Sequence, residues 1–411
     1  MKGLIIFGIC LAIFGCQGSN KSEQNQVKDT TAASAGTFGY DIAFLKKHKK
    51  IILLTAPDDP ASQAIIIPDY QGRVMTSTAS GDGGNSYGWI NYKLIESGKL
   101  QPHINAFGGE ERFWLSPEGG QFSVYFKKGD KFDFEHWQTP AVIDSEAFEV
   151  VSSDSSSVVF QKKTTLENHS GTPLDFTIDR KISMLGRRDI EKALAISLDQ
   201  KVKVTAYVSE NTITNNGADW KRESGAIGIW LLGMFTPGAE TTIIAPFSKE
   251  HSEKPQLTDN YFGEIPKERL VVKDGAVYLK ADGKFRSKIG LAPLSAKPFA
   301  GSYDAEKNIL TIIQYDLDPK GEYLKSTWEE HKEPFKGDAL NAYNDGPLAD
   351  GSQMGPFYEL ESNSPAKLLK KNEKLNHNQR TYHFEGDKQA LNQIAQKVLG
   401  VNIDQIGEIF K

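Results

Sequence analysis

Two glutamates, Glu359 and Glu361, stand two positions apart in "GPFYELES". On a strand this spacing places both carboxyls on one face, roughly 6–7 Å apart by strand rise, with Phe357 beside them and Tyr358 and Leu360 opposite. Buried together, like charges raise one pKa, and a group so shifted works as a base near neutral pH. The competing reading is a solvated sheet face, where paired glutamates are ordinary. A second dense stretch is "HINAFGGEERFWLSPEGGQF", residues 103–122. Gly108-Gly109 and Gly119-Gly120 bracket "EERFWLSPE", which predicts a shaped loop or short strand. Arg112 offers a rigid fork of donors and Trp114 a flat apolar face, the two side-chain types that bind sugars well. The alternative puts Phe113 and Trp114 in the core and pairs Glu110 or Glu111 with Arg112.

Other residue types exclude more than they indicate. The eight histidines form no H-x-H or H-E-x-x-H spacing and no cluster with Asp, so no metal or cofactor is called for. His103 opens the Gly-rich stretch, and His136 lies beside Trp137 in "DFEHWQ". "SASGDGG" does not match the G-x-S-x-G elbow of a serine hydrolase. No Gly-rich phosphate loop joins a strand to a helix. Net charge is -5 with no basic block, which argues against a nucleic-acid partner.

The elements that position these residues read as strands. "IILLTA", "QAIIIPDY" and "GRVMTSTA" begin a series of β-branched or alternating runs separated by turn residues. "QFSVYFK", "AFEVVSSD", "SSVVFQKKTTLEN", "LDFTIDRKISML", "VKVTAYVSENTITN", "TTIIAPF", "RLVVKDGAVYLKA", "ILTIIQYDL" and "RTYHFEG" continue it. This predicts an all-β fold, a large antiparallel sandwich rather than βαβ units. Asn344-Asp345-Gly346 marks a turn before the Glu359 strand. A short helix is expected at Tyr40–Lys50. A second follows Asp387 as N-cap, with Leu391, Ile394, Ala395, Val398 and Leu399 at helical spacing and Gly400 as its stop.

The N-terminal segment speaks of address. Lys2, the apolar run Leu4 to Phe14 and Gly15-Cys16 match a lipoprotein signal peptide, residues 1–16, with acylation expected at Cys16. Gln17 after the cysteine favours the outer membrane, facing the periplasm or the outside. Cys10 is the only other cysteine, so the mature chain holds no second thiol, no internal disulfide and no thiol chemistry. Residues 17–36 hold little to bury and read as a flexible tether. Residues 37–411 read as one domain, expected to be a monomer.

Taken in order, "IIIPDYQGRVMTSTASGDGG", "FGGEERFWLSPEGGQF", "ENTITNNGADW" and "YELESNSPAKLL" with "HNQRTYHFEG" resemble the galactose mutarotase-like, or aldose 1-epimerase-like, superfamily. The likeness extends over most of residues 40–386 and is nearest to bacterial lipoproteins of that fold. It implies a β-supersandwich of two large antiparallel sheets with a carbohydrate site on the concave face of one. It implies acid–base chemistry in which "LES" and "NSPA" place the base on Glu361, with Glu359 as rival and Arg112 binding substrate. The family's acid histidine has no counterpart here, since Ile229-Trp230 occupy its place. His136, His103 or Lys288 in "FRSKIG" are left as substitutes. Trp114, Trp230 and Asp345 complete the candidate ligand contacts. Two alternatives remain beside an isomerase: a non-catalytic glycan-binding protein and a structural envelope lipoprotein.

Overall fold

The computed structural model describes residues 34–410. The expected signal peptide, with Cys16, and most of the expected tether lie outside the described residues. The described residues form one compact unit. Its elements begin with α1 (Phe38–His48), β1 (Ile52–Thr55), β2 (Gln63–Ile67), β3 (Arg73–Thr78), α2 (Tyr92–Ser97), β4 (Arg112–Ser116) and α3 (Ala141–Asp144). There follow β5 (Glu149–Ser153), β6 (Ser157–Glu167), β7 (Pro173–Met184), α4 (Arg187–Leu194), β8 (Lys203–Asn215), β9 (Gly228–Phe235), β10 (Thr241–Pro246) and β11 (Leu257–Thr258). The chain continues through β12 (Leu270–Lys273), β13 (Ala276–Lys280), β14 (Ser287–Leu291), β15 (Phe299–Asp304) and β16 (Ile309–Tyr315). It closes with β17 (Leu340–Asn344), β18 (Tyr358–Asn363), β19 (Lys374–Glu385), α5 (Lys388–Val398) and α6 (Ile403–Ile406).

The strands pair antiparallel into a ten-stranded sheet, ordered β12-β13-β10-β15-β16-β19-β8-β7-β6-β5, and a six-stranded sheet, ordered β11-β14-β17-β18-β9-β4. A third sheet, β1-β2-β3, goes beyond the two expected. The two large sheets face each other across apolar residues. Ile243, Val277 and Ile313 of the large sheet meet Ile289, Leu340 and Leu360 of the six-stranded one. The other face of the ten-stranded sheet is covered by α4, α5 and α6, with Leu310, Ile312, Tyr382 and Phe384 against Ile190, Leu391 and Ile403. Asp387 caps α5 by accepting from Ala390 N at 2.9 Å, and Gly400 follows in a left-handed conformation.

Three sequence expectations need correction. "QFSVYFK" is not a strand but a run of turns. Its backbone donors are taken up locally, Ser123 N by Gly120 O at 3.0 Å and Tyr125 N by Ser123 Oγ at 3.0 Å, while the Tyr125 hydroxyl donates to Leu115 O at 2.8 Å. The helices α2, α3 and α4 were not foreseen. Strands β9, β11, β14, β15 and β17 were not either; β9 is buried at every position, and its apolar run shows no period of two.

Candidate functional site

Strand register builds a polar face on the six-stranded sheet. Lys288 stands opposite Tyr343, Tyr343 opposite Glu359, and Asn341 opposite Glu361. Glu361 pairs with Leu232, Leu232 with Arg112, and Trp230 with Trp114. Cross-strand partners share a face, and alternate residues take the other. Thus Lys288, Asn341, Tyr343, Glu359, Glu361, Trp230, Arg112 and Trp114 point one way. Ile289, Leu360, Leu231 and Phe113 point into the sandwich core.

The face holds two cation–carboxylate pairs. Glu361 is completely buried. Its Oε2 accepts from Lys288 Nζ at 2.9 Å and from Trp230 Nε1 at 3.0 Å. Its Oε1 is buried and has no partner. Such an orphan acceptor is costly unless a ligand or water supplies a donor. The Lys288 ammonium also lies over the rings of Trp230 and Tyr261, 4.8 and 5.7 Å from their centroids. Glu359 pairs with Arg112, whose guanidinium lies 4.7 Å over the Trp114 ring. Arg112 Nε is a second buried group without a partner. Alongside, Tyr343 donates to Asp345 Oδ1 at 2.5 Å, and Gly355 N donates to Oδ2 at 3.0 Å.

Burial pushes the Glu359 pKa up to about 8, and the neighbouring Glu361 adds to this against the pull of Arg112. Burial alone would lower the Lys288 pKa, but the Glu361 and Glu118 carboxylates outweigh it and hold the ammonium protonated above its ordinary value. Glu118 and Asp345 are both raised, in each case first by burial. The face therefore offers an acceptor and a charged donor side by side. A ligand hydroxyl at Glu361 Oε1 could yield a proton there while Lys288 supplies one to a neighbouring oxygen.

The fold thus gathers Glu361, Glu359, Lys288, Trp230, Arg112 and Trp114, with Asp345 at the margin. It does not bring the histidines to the carboxylates. His136 sits on a surface turn, 35% exposed, with Nδ1 taken by Asp133 at 2.6 Å. His103 Nδ1 is 2.6 Å from the Trp137 carbonyl, and its ring lies against Phe134. The partners of Glu361 Oε2 are instead Lys288 and Trp230. Neither Glu110 nor Glu111 pairs with Arg112: Glu111 binds Arg180 at 2.9 Å and Glu110 binds His383 at 3.0 Å. Glu118, Tyr261, Arg286 and Tyr343 were not singled out from sequence. For Tyr343 a signal existed, since "LNAYN" alternates polar and apolar positions before the Asn344 turn. Two cavities, of about 630 and 170 Å³, lie elsewhere, and no residue of this set lines them. Among the described residues, no group of three or more His, Cys, Asp or Glu is placed to hold a metal ion. None of their helices is long and apolar enough to cross a membrane.

No curated protein matched the sequence. Among solved structures, the Slr1438 protein from Synechocystis sp. PCC 6803 superposes with a TM-score of 0.50 at 12% identity, covering 82% of this chain and 96% of that one. A putative aldose 1-epimerase from Escherichia coli K12 gives 0.48 at 11%, covering 82% and 100%. A galactose mutarotase-like protein from Lactobacillus casei ATCC 334 gives 0.44 at 11%, covering 82% and 99%. The last two are described as aldose 1-epimerase-like and galactose mutarotase-like, and the strand pairing of this chain itself gives the antiparallel β-sandwich expected from sequence. At these identities the likeness is one of fold alone. A family profile described as a family of unknown function, DUF6786, matches residues 36–410, and the chain belongs to that family.

Proposed function

We propose that this protein binds a carbohydrate on the polar face of the six-stranded sheet and interconverts its anomers through Glu361 and Lys288. The supporting observation is the buried Glu361 carboxylate, with one oxygen held by Lys288 and Trp230 and the other without a partner. In ring opening, Glu361 takes the anomeric hydroxyl proton, the bond from C1 to the ring oxygen breaks, and Lys288 protonates that oxygen. The open-chain aldehyde closes on either face with both transfers reversed. Arg112 and Asp345 bind sugar hydroxyls, while Trp114 and Trp230 offer ring faces. Lys288, held above its ordinary pKa, is a poorer acid than a group titrating near 7, so the turnover is slow.

Anomer exchange measured by NMR across a panel of aldoses tests this. Glu361→Gln lowers the rate by about 100-fold or more, the usual size of a lost general base. No rate above the uncatalysed one, or an unchanged rate in the variant, overturns the catalytic reading. A second reading, carbohydrate binding without catalysis, is favoured by the fact that both carboxylates already have cationic partners. It expects binding that survives Glu361→Gln.

We also infer that acylation at Cys16 tethers the domain to the envelope, on the strength of the Leu4–Cys16 segment. The N-terminal peptide then carries the mass of attached acyl chains, and Cys16→Ser moves the protein from the membrane to the soluble fraction. A distribution that does not move removes the anchor.

A further inference from the structure

Arg286 stands at the end of the carboxylate face, one residue before β14. Ser287 pairs with Asn344 and Lys288 with Tyr343, so Arg286 falls at the level of Asp345 and on the Lys288 side of the strand. The backbone is closely packed there, since a Cβ on Gly346 would meet Arg286 N at 2.5 Å. The guanidinium carbon lies 3.9 Å from the centroid of the Phe262 ring. Phe262 in turn meets Tyr343 edge to face at 5.9 Å. These contacts hold the Arg286 head group beside the residues that carry Lys288 and Glu359.

A ring stacked on a guanidinium covers its plane and leaves the in-plane N–H donors free. Among the described residues no acceptor meets any of these donors on Arg286, and its Nε is buried without a partner. The carboxylates around it are committed elsewhere. Asp345 accepts from Tyr343 on one oxygen and from Gly355 N on the other. Glu359 is paired with Arg112, and Glu118 accepts from the Trp328 indole. A cation held in place, partly desolvated and without an anion, is an arrangement that a ligand anion completes.

The order of groups along the strands says which anion fits. Asn341, Tyr343 and Asp345 mark three successive levels, with Glu361 at the first, Lys288 at the second and Arg286 at the third. With the anomeric hydroxyl at Glu361 and the ring oxygen at Lys288, the next ring atom is C5, and its substituent comes to Arg286. Exposure rises in the same order, from Glu361 at 0% and the Lys288 side chain at 11% to Phe262, beside Arg286, at 46%. The charged end of the ligand therefore lies toward solvent. We propose that the sugar is a hexuronic acid whose C5 carboxylate accepts from the Arg286 guanidinium. This rests on the carbohydrate reading of the Glu361 face and names its substrate class. A carboxylate matches one guanidinium fork with a single charge. A phosphate ester brings about 1.5–2 negative charges at pH 7 near Glu361, where Lys288 and Arg112 already have carboxylate partners.

Calorimetric titration of the full chain with glucuronate, galacturonate, their methyl esters, glucose, galactose and glucose 6-phosphate tests the proposal. At least one uronate binds about tenfold more tightly than its ester and its neutral aldose, a ratio suited to one charge-assisted contact. Arg286→Gln brings that ratio close to one, and Arg286→Lys, which keeps the charge, retains part of it. The ratio is taken within one protein, so a general loss of folded material cancels from it. A ratio near one in the unaltered protein, or one that persists in Arg286→Gln, overturns the acidic class while the Glu361 site stands on its neutral sugar. Glucose 6-phosphate binding more tightly than either uronate overturns the carboxylate. A uronate that shows the ratio but no anomer exchange above the uncatalysed rate upholds the substrate class and sinks the catalytic reading. If none of these sugars binds, the substrate class falls together with the reading it rests on.

Discussion

Glu359 and Glu361 share a strand face but not a chemical situation. Glu361 has an ammonium and an indole N–H on one oxygen and nothing on the other, whereas Glu359 meets the delocalised charge of Arg112. Burial raises Glu359 to about 8, against an ordinary value of 4.5. The folded state therefore binds more protons than the unfolded chain between these values. Its contribution to stability is full below the unfolded pKa and is lost as pH rises through about 8. The melting temperature should accordingly fall between about pH 5 and pH 8.5, and Glu359→Gln should flatten this decline. Melting curves across that range check it; equal slopes in both proteins would count against the assignment.

At the scale of elements, the site depends on register more than on any one strand. Arg112 and Glu361 both stand opposite Leu232, from the two sides of β9. A slip of one residue in β9 would turn Trp230 into the core and Leu231 onto the face. The turns before β4 hold the other end. A Cβ at Gly108 would meet Trp89 O at 2.0 Å, and its φ of +96° suits glycine. The same short stretch divides three neighbouring charges among three partners: Glu110 to His383 on β19, Glu111 to Arg180 on β7, and Arg112 to Glu359 on β18. Adjacent charges in sequence are thus separated by the pleat and the turn, which is why local pairing within "EER" fails.

Across the whole molecule, Arg180 joins all three sheets. From β7 of the ten-stranded sheet it reaches Gly72 O at the start of the small sheet, Asn211 Oδ1 at 2.6 Å, and Glu111 at the entrance to β4. Arg180 and Glu111 are both fully buried. Removing one partner leaves the other charge uncompensated, so Arg180→Met should cost about 3–5 kcal/mol in urea unfolding. A cost under about 1 kcal/mol would show that the sheets are held by apolar packing alone.

Alternating and β-branched runs determined the antiparallel β class, and helical spacing with Asp387 and Gly400 determined the last long helix. These are local properties, written in side-chain period and turn chemistry. The pairing of Glu359 and Glu361 on one face also followed from strand period alone. The identity of their partners did not. Lys288 lies 73 residues from Glu361, and Arg112 lies 247 residues from Glu359. Local sequence carries no signal of such distances, because strand order and register set them. The histidines show the same limit: His103 and His136 were plausible donors by type, but the fold fixed both rings elsewhere and set a lysine and an indole at the carboxylate. Only tertiary structure decided this, since a buried charge is satisfied by whichever group the sheet brings within hydrogen-bond reach.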